Sequence, residues 1–210
     1  MTAIGIIGTG NMARELGRGW IRAGHSVTLG SRRPSEISLD IAEIRGIRVA
    51  DFASAISGAE VVVIATPYPT VVPFVEEYRE MLLGTVLVDI SNPFDNLPSN
   101  ELAGAEYTAR ALGTANGLVA AFKDNFAATV NAAYPAESDR GDVKIAGDDE
   151  AAKAVVAALA RDLGHRPLDC GPLHNARLLD GMVTLMLDLD RRHADFTMET
   201  GWRFVGLTNG

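Results

Sequence analysis

Six residues near the N-terminus, Gly8-Thr9-Gly10-Asn11-Met12-Ala13, follow the apolar run AIGII and lead into a helical pattern. Gly8 permits a tight turn there, and Gly10, lacking a Cβ, lets the backbone come directly against a ligand. The small Ala13, standing where a third glycine is common, allows the helix to pack close on the strand. Backbone N–H groups at the start of such a helix point outward and attract anions. A strand, this loop and a helix in that order make a cradle for a dinucleotide pyrophosphate.

A second group of residues selects among dinucleotides. Units that hold NAD usually place Asp or Glu about 20 residues beyond the glycines, where it accepts the ribose hydroxyls. Here Thr28, Leu29, Gly30 and Ser31 occupy that place, Arg32 and Arg33 follow, and the first acid after them is Glu36. An acid would repel the extra phosphate of NADP, whereas Ser31 offers a hydroxyl donor and each arginine a planar fork suited to phosphate oxygens. Ser31, Arg32 and Arg33 are therefore expected to hold the 2′-phosphate of NADP.

No side-chain set reads as an acid, base or nucleophile. His25, His165, His174 and His193 are scattered and Cys170 is the sole cysteine, which leaves no metal-ligand spacing and no internal disulfide. His174, in GPLHNAR, reads as a structural residue in the first turn of the last helix.

The elements that must position these residues are short. IGIIG, SVTLG, GIRVA, AEVVVIAT and TVLVDIS read as strands, separated by helical segments that include residues 11–24, 51–57 and 71–83. This alternation predicts an α/β fold, a Rossmann-type doubly wound parallel sheet. GLVAAF, DVKIAG and HRPLDCG read as further strands, and DDEAAKAVVAALARDLG as a helix with an acidic first turn. From Leu173 to about His193, Leu178, Met182, Leu185 and Leu189 form one apolar stripe, either core or a dimer seam. Arg14, Arg18 and Arg22 form a stripe on the first helix that reads as a solvated face. The expected organisation is one unit, residues 1–122 as Rossmann core and 123–210 as a small, largely helical second lobe packed on it.

The chain has 210 residues, 47% of them hydrophobic, enough for one sizeable core. Its net charge of −8 argues against nucleic acid or an anionic membrane as partner. Within residues 1–50, however, seven arginines face four acids, so an anionic ligand is drawn to that part. No apolar run approaches a membrane span, and with one cysteine and no charged leader the expectation is a cytoplasmic protein.

Together GTGNMA, GSRRP, VLVDISNP, AEYTARAL, AFKDNFAATV, the long run from AGDDEAAK to HNARLLD, and TGWRF resemble the NADPH-dependent coenzyme F-420 (F420) reductases. More distantly they resemble the cytosolic oxidoreductase domain of six-transmembrane metalloreductases. The resemblance implies an oxidoreductase that passes a hydride between NADP(H) and the deazaflavin F420; both reactants are then redox cofactors, so the protein's part is to stack two rings and exclude water. The expected assembly is a homodimer through the last helix. On that pattern Gly8, Thr9, Gly10, Asn11 and Met12 wrap the pyrophosphate, and Thr66 and Pro67 of ATPYP line the cofactor. Asn92 and Ala121 lie near the nicotinamide, and Lys123, Asn125 and Leu207 form the acceptor's site. At AFKDNF the family usually has Asn or His followed by Thr, where this chain has Lys123 and Asp124. Lys123 then either meets an anionic tail or a flavin carbonyl, or pairs with Asp124 at the surface. The alternatives are an NADPH-dependent flavin or ferric reductase using FMN or FAD, a non-catalytic NADP(H)-sensing protein, and a reductase of a small imine or carbonyl. For the last of these Tyr68 and Lys123 are the candidate proton donors.

Overall fold

A computed structural model describes residues 1–36, 44–94, 102–133, 136 and 140–206. Eight strands form one sheet: β1 (Ala3–Ile7), β2 (Ser26–Gly30), β3 (Arg48–Ala50), β4 (Val61–Ile64), β5 (Val86–Asp89), β6 (Leu118–Ala121), β7 (Val143–Gly147) and β8 (Pro167–Asp169), in the order β3-β2-β1-β4-β5-β6-β7-β8. All neighbours run parallel except β6 and β7, which are antiparallel. The strand order reverses beside β1, between β1 and β4, the place where open α/β sheets leave a crevice at the carboxyl ends of their strands.

Seven helices flank the sheet among the described residues: α1 (Asn11–Arg22), α2 (Phe52–Ile56), α3 (Val71–Leu82), α4 (Gly104–Leu112), α5 (Ala127–Val130), α6 (Glu150–Asp162) and α7 (Ala176–His193). The central strands are apolar on both faces, so they feed two cores. Ile4, Ile6, Val61 and Val63 pack with Leu16 and Trp20 of α1 and Val156 and Leu159 of α6. Ile7, Val62 and Ile64 pack on the other face with Phe74 of α3, Leu112 of α4 and Leu179 of α7. The Trp20 indole reaches across to donate to the Leu159 carbonyl at 3.0 Å, tying α1 to α6. Helix starts follow the polar caps: Asp51 accepts from the Ser54 N–H at 2.7 Å, and Asp149 accepts from the N–H groups of Ala151 and Ala152.

The last helix differs from its periodic reading. Its buried face carries Leu179, Val183 and Met186 together with two acids, Asp180 and Asp190, while Leu178 and Leu185 are 59% and 51% exposed. The stripe read from spacing is thus split: Leu178 and Leu185 face outward, Met182 packs on the core and Leu189 is half-buried. His174 sits in a separate 3-10 turn, Leu173–Asn175, just before α7. Residues beyond α7 fold back along the sheet's end. Asp190 accepts from the Met198 N–H and the Thr200 hydroxyl, and Asp142 accepts from Phe204 N–H at 2.7 Å and from Arg166 in a two-pronged pair. Burial raises the Asp142 carboxyl's pKa, but Arg166 and the Phe204 N–H outweigh it and hold the group below the usual carboxylate value.

Candidate functional site

The glycine loop has the geometry its residues demand. Gly8, at φ +125°, donates its N–H to the Gly30 carbonyl at 2.9 Å, and a Cβ there would stand 2.5 Å from the Ala65 carbonyl oxygen. Gly10 begins α1, and a Cβ on it would meet nothing within 4 Å, so the space beside its backbone is open. Arg14 donates from Nε to the Thr9 carbonyl at 3.0 Å and so props the loop from below. At the end of β2, the Ser31 N–H bonds to Ala50 O, and the Ser31 hydroxyl oxygen accepts from Arg33 N–H at 3.1 Å. Arg33 pairs with Glu36 at 3.2 Å, both well exposed, whereas Arg32 has no ion-pair partner among the described residues. Loop, strand end and arginines border one cleft of about 780 Å³, with Phe52 as its apolar side. Gly10→Ala is expected to raise the Kd for NADPH at least about tenfold with no change in melting temperature, since the methyl enters the open space and clashes with nothing. Gly8→Ala should instead lower the melting temperature, and thermal melts beside NADPH titrations separate the two.

Gly10, Ala65, Thr66 and Pro67 also border a second cavity of about 650 Å³, so cleft and cavity form one trough across the sheet's carboxyl end. Its walls are mainly apolar, with Met12, Phe94, Phe122, Phe126, Val183 and Met198 among them. Phe122 stands at φ +54°, a left-handed conformation unusual for an aromatic residue, and its ring meets that of Trp20 edge-on at 6.1 Å. Two amides are fixed at the cavity: Asn92 donates to Lys123 O at 2.7 Å and Asn125 to Asp142 O at 3.2 Å. Their Oδ1 atoms, and the Thr66 hydroxyl, are buried without a hydrogen-bond partner among the described residues. Buried acceptors left without donors call for a ligand that brings N–H or O–H groups, and a carboxamide-bearing ring does so. The open cradle at Gly10 and these three atoms fit a nicotinamide dinucleotide.

Beneath the cavity lie two buried ion pairs. Lys123 Nζ stands 2.9 Å from Asp180 Oδ1 with both side chains essentially fully buried, and it also donates to the Ser91 carbonyl. Asp180 in turn accepts from Gly104 N–H at 2.9 Å, joining α7 to α4. Asp124 pairs with Lys144 of β7 at 2.7 Å; burial pushes its carboxyl pKa up and Lys144 pulls it part-way back. Lys123 therefore neither pairs with Asp124 nor reaches the surface. On the β5 side, Asp89 accepts from Ser91 N–H, Ser91 Oγ and Thr108 Oγ1 at 2.6 to 2.9 Å, which fixes the turn leading to Asn92. Tyr68, half-buried at the cavity's edge, has its phenol pKa raised by burial and by the charges of Asp89 and Asp180, so it stays protonated.

Gly8, Thr9, Ser31, Arg32 and Arg33 thus meet at the cleft, and Asn11, Met12, Asn92, Lys123 and Asn125 at the cavity, with Gly10, Thr66 and Pro67 at both. Ala121 is fully buried at the end of β6, and its neighbour Phe122 forms the wall instead. Leu207 lies outside the described residues. The aromatic residues Phe94, Phe122 and Phe126, and Val183, Leu187 and Met198 from the last quarter of the chain, were not among the expected site residues. The only signal for the first three is one Phe soon after β5, in NPF, and two soon after β6, in AAF and NF.

The family model described as NADP oxidoreductase, coenzyme F420-dependent, matches residues 3–93, the stretch from β1 through the turn at Asn92. Residues 3–93 carry that family's pattern. The chain resembles F420-dependent oxidoreductases in sequence and in fold. It is 28% identical over 206 residues to an F420-dependent NADP reductase of Methanothermobacter thermautotrophicus, an alignment covering 89% of this chain and 88% of the relative. Metalloreductase STEAP3 of Rattus norvegicus is 32% identical over 191 residues, 88% of this chain, and the chain spans 37% of that relative's length. A solved structure from Arthrobacter sp. FB24, provisionally called an F420-dependent NADP-reductase, superposes with a TM-score of 0.83 at 27% identity, covering 98% of this chain and all of that one. Among the described residues no helix is long and apolar enough to cross a membrane, and no cluster of three metal-ligating side chains occurs.

Proposed function

We propose that the protein is a cytoplasmic oxidoreductase that moves a hydride between NADP(H) and the deazaflavin coenzyme F420. The observation that carries this reading is the trough. An arginine-flanked cleft, with Ser31 and not an acid at the end of β2 and with Glu36 at its rim drawn to Arg33, opens through Gly10 and Thr66 into an apolar cavity with room for a second ring. Bound there, the nicotinamide supplies the hydride chemistry. The chain's own part is to neutralise the 2′-phosphate with Arg32 and Arg33 and to hold the carboxamide through Asn92 and Thr66. The three phenylalanines and Met198 exclude water, so that two rings can approach to roughly 3 to 3.5 Å. Neither Tyr68, kept protonated, nor Lys123, held by Asp180, is needed to move a proton.

Mixing the protein with NADPH and, in separate cuvettes, oxidised F420, FMN and FAD tests the assignment. Loss of the deazaflavin absorption at rates well above those of the flavins is expected. Faster loss of FMN or FAD would replace F420 by a flavin as acceptor, and binding of NADPH without bleaching of any acceptor would make the chain a sensor.

We further propose that two copies pair through the outer face of α7, which exposes Leu178 and Leu185 with Met182 and Leu189 beside them. A contiguous apolar stripe of this kind is unfavourable in water unless covered. Leu185→Asp is expected to convert a dimer to a monomer in light scattering; a wild-type protein that is already monomeric at tens of micromolar would remove the proposal.

A further inference from the structure

Four buried acids adjoin the residues that line the apolar cavity: Asp89, Asp124, Asp142 and Asp180, each at most 2% exposed. Three of them are matched by a cation. Lys144 stands 2.7 Å from Asp124, Arg166 2.8 Å from Asp142 and Lys123 2.9 Å from Asp180. Asp89 differs, for among the described residues it has no lysine, arginine or histidine at ion-pair distance. Its partners are neutral: Ser91 N–H at 2.9 Å and Ser91 Oγ at 2.6 Å on one oxygen, and Thr108 Oγ1 at 2.7 Å on the other. Donors on both oxygens suit a carboxylate, which can only accept. The first turn of α4 adds no free positive end, because Asp180 takes the Gly104 N–H and Glu106 the Ala103 N–H.

The strand register fixes where this unmatched charge sits. Asp89 closes β5, level with Ile64 at the end of β4 and with Ala120 of β6. Beyond that level all three strands run into the cavity's wall, through Ala65 and Thr66, Ile90 to Asn92, and Phe122 and Lys123. At about 3.3 Å per residue the carboxylate therefore lies within roughly 10 Å of that wall. With no surface open to water, its field is poorly screened. Tyr68, at the cavity's edge, registers it: burial first, and then the charges of Asp89 and Asp180, raise the phenol's pKa.

A nicotinamide ring carries one more positive charge when oxidised than when reduced. The pyrophosphate, both riboses and the 2′-phosphate are the same in the two forms. We propose that Asp89 is a buried counter-charge for the oxidised ring, so that the site holds NADP⁺ more tightly, relative to NADPH, than a site without that charge. The proposal rests on the reading of the trough as an NADP(H) seat with its ring in the cavity, and it holds whatever the acceptor. When the C4–H bond of NADPH breaks, the hydride carries its electron pair to a carbon of the acceptor and the donor ring becomes a cation. A negative charge already fixed in place favours that product without reorganising. The bound couple is thereby drawn toward NADP⁺, which makes bound NADPH the better hydride donor.

The test is a ratio of affinities. Kd values for NADP⁺ and for NADPH are measured by calorimetry on the full chain and on Asp89→Asn, which keeps the size of the side chain and removes its charge. The variant's Kd for NADP⁺ is expected to rise at least about fivefold more than its Kd for NADPH. Thr108→Val removes one hydrogen bond and leaves the charge, so it should move both values together and keep their ratio within about twofold. A loosened turn at Asn92 would act in the same even-handed way, and a merely structural role for Asp89 therefore leaves the ratio alone. An equal shift for both nucleotides in Asp89→Asn overturns the proposal. Should Asp89→Asn melt too low for titration, the unaltered protein decides, with an NADP analogue whose pyridinium is replaced by a neutral benzamide ring. NADP⁺ should bind at least about fivefold tighter than this analogue, and equal affinity overturns the counter-charge. If the unaltered protein binds neither NADP⁺ nor NADPH, the nucleotide seat fails and the proposal with it. Binding of both with an unchanged ratio in Asp89→Asn keeps the seat and removes the counter-charge alone.

Discussion

Lys123→Met should lower the unfolding free energy by about 3 to 5 kcal/mol, the usual result of leaving one member of a buried ion pair without its partner. Asp180 would keep a carboxylate with no exposed surface and one remaining donor, the Gly104 N–H, while the Ser91 carbonyl would lose the ammonium that holds it. Urea denaturation reads the loss as a lower midpoint at constant slope. Adding Asp180→Leu should restore part of the stability, because the stranded charge is removed with its partner. The Gly104 N–H stays unpaired, so the recovery is incomplete. If the single variant unfolds at the wild-type midpoint, the pair is not the anchor described. The effect extends to the site, since Asn92 holds its amide on the Lys123 carbonyl. The double variant is therefore expected to regain stability before it regains turnover.

Arg32→Ala should raise the Kd for NADPH by about 10- to 100-fold, since a charge-assisted hydrogen bond contributes about 1.5 to 3 kcal/mol. The affinity for NADH should hardly change. Arg33→Ala should give a smaller loss, because Arg33 is already drawn to Glu36. Calorimetric titration with both nucleotides decides the matter, and equal losses for NADPH and NADH would remove the phosphate role from Arg32. Higher ionic strength should narrow the gap between the nucleotides, because both arginines are exposed.

The geometry of the glycine loop and of the end of β2 was legible because its signals are local. Gly8, Gly10 and Ala13 announce a strand-loop-helix unit by spacing alone, and the missing acid at Ser31 is read by counting residues. The adjoining apolar cavity was not, since its parts come together only through long-range packing. Lys123 and Asp180 are separated by 56 residues, and nothing in either neighbourhood names the other. The last helix misleads for a related reason. It carries apolar residues on two faces, and the face that turns inward includes Asp180 and Asp190, whose charges suggest solvent. A periodicity argument therefore prefers Leu178, Met182, Leu185 and Leu189. Only the partners supplied by Lys123, Gly104, Met198 and Thr200 make the acidic face the buried one. The antiparallel turn of β7 against β6 was equally hidden, because both are short apolar runs whose direction is set by the connection between them.

The two halves of the trough also differ in when their parts exist. Every residue that borders the arginine-flanked cleft lies between Gly8 and Pro67, whereas the adjoining cavity waits for Val183, Leu187 and Met198. A ribosome making this chain from its N-terminus delivers the first set more than a hundred residues before the last of the second. The order of synthesis thus brings the glycine loop and both arginines off the ribosome well before the last wall of the cavity, while α1 still waits for α6 to cover Trp20.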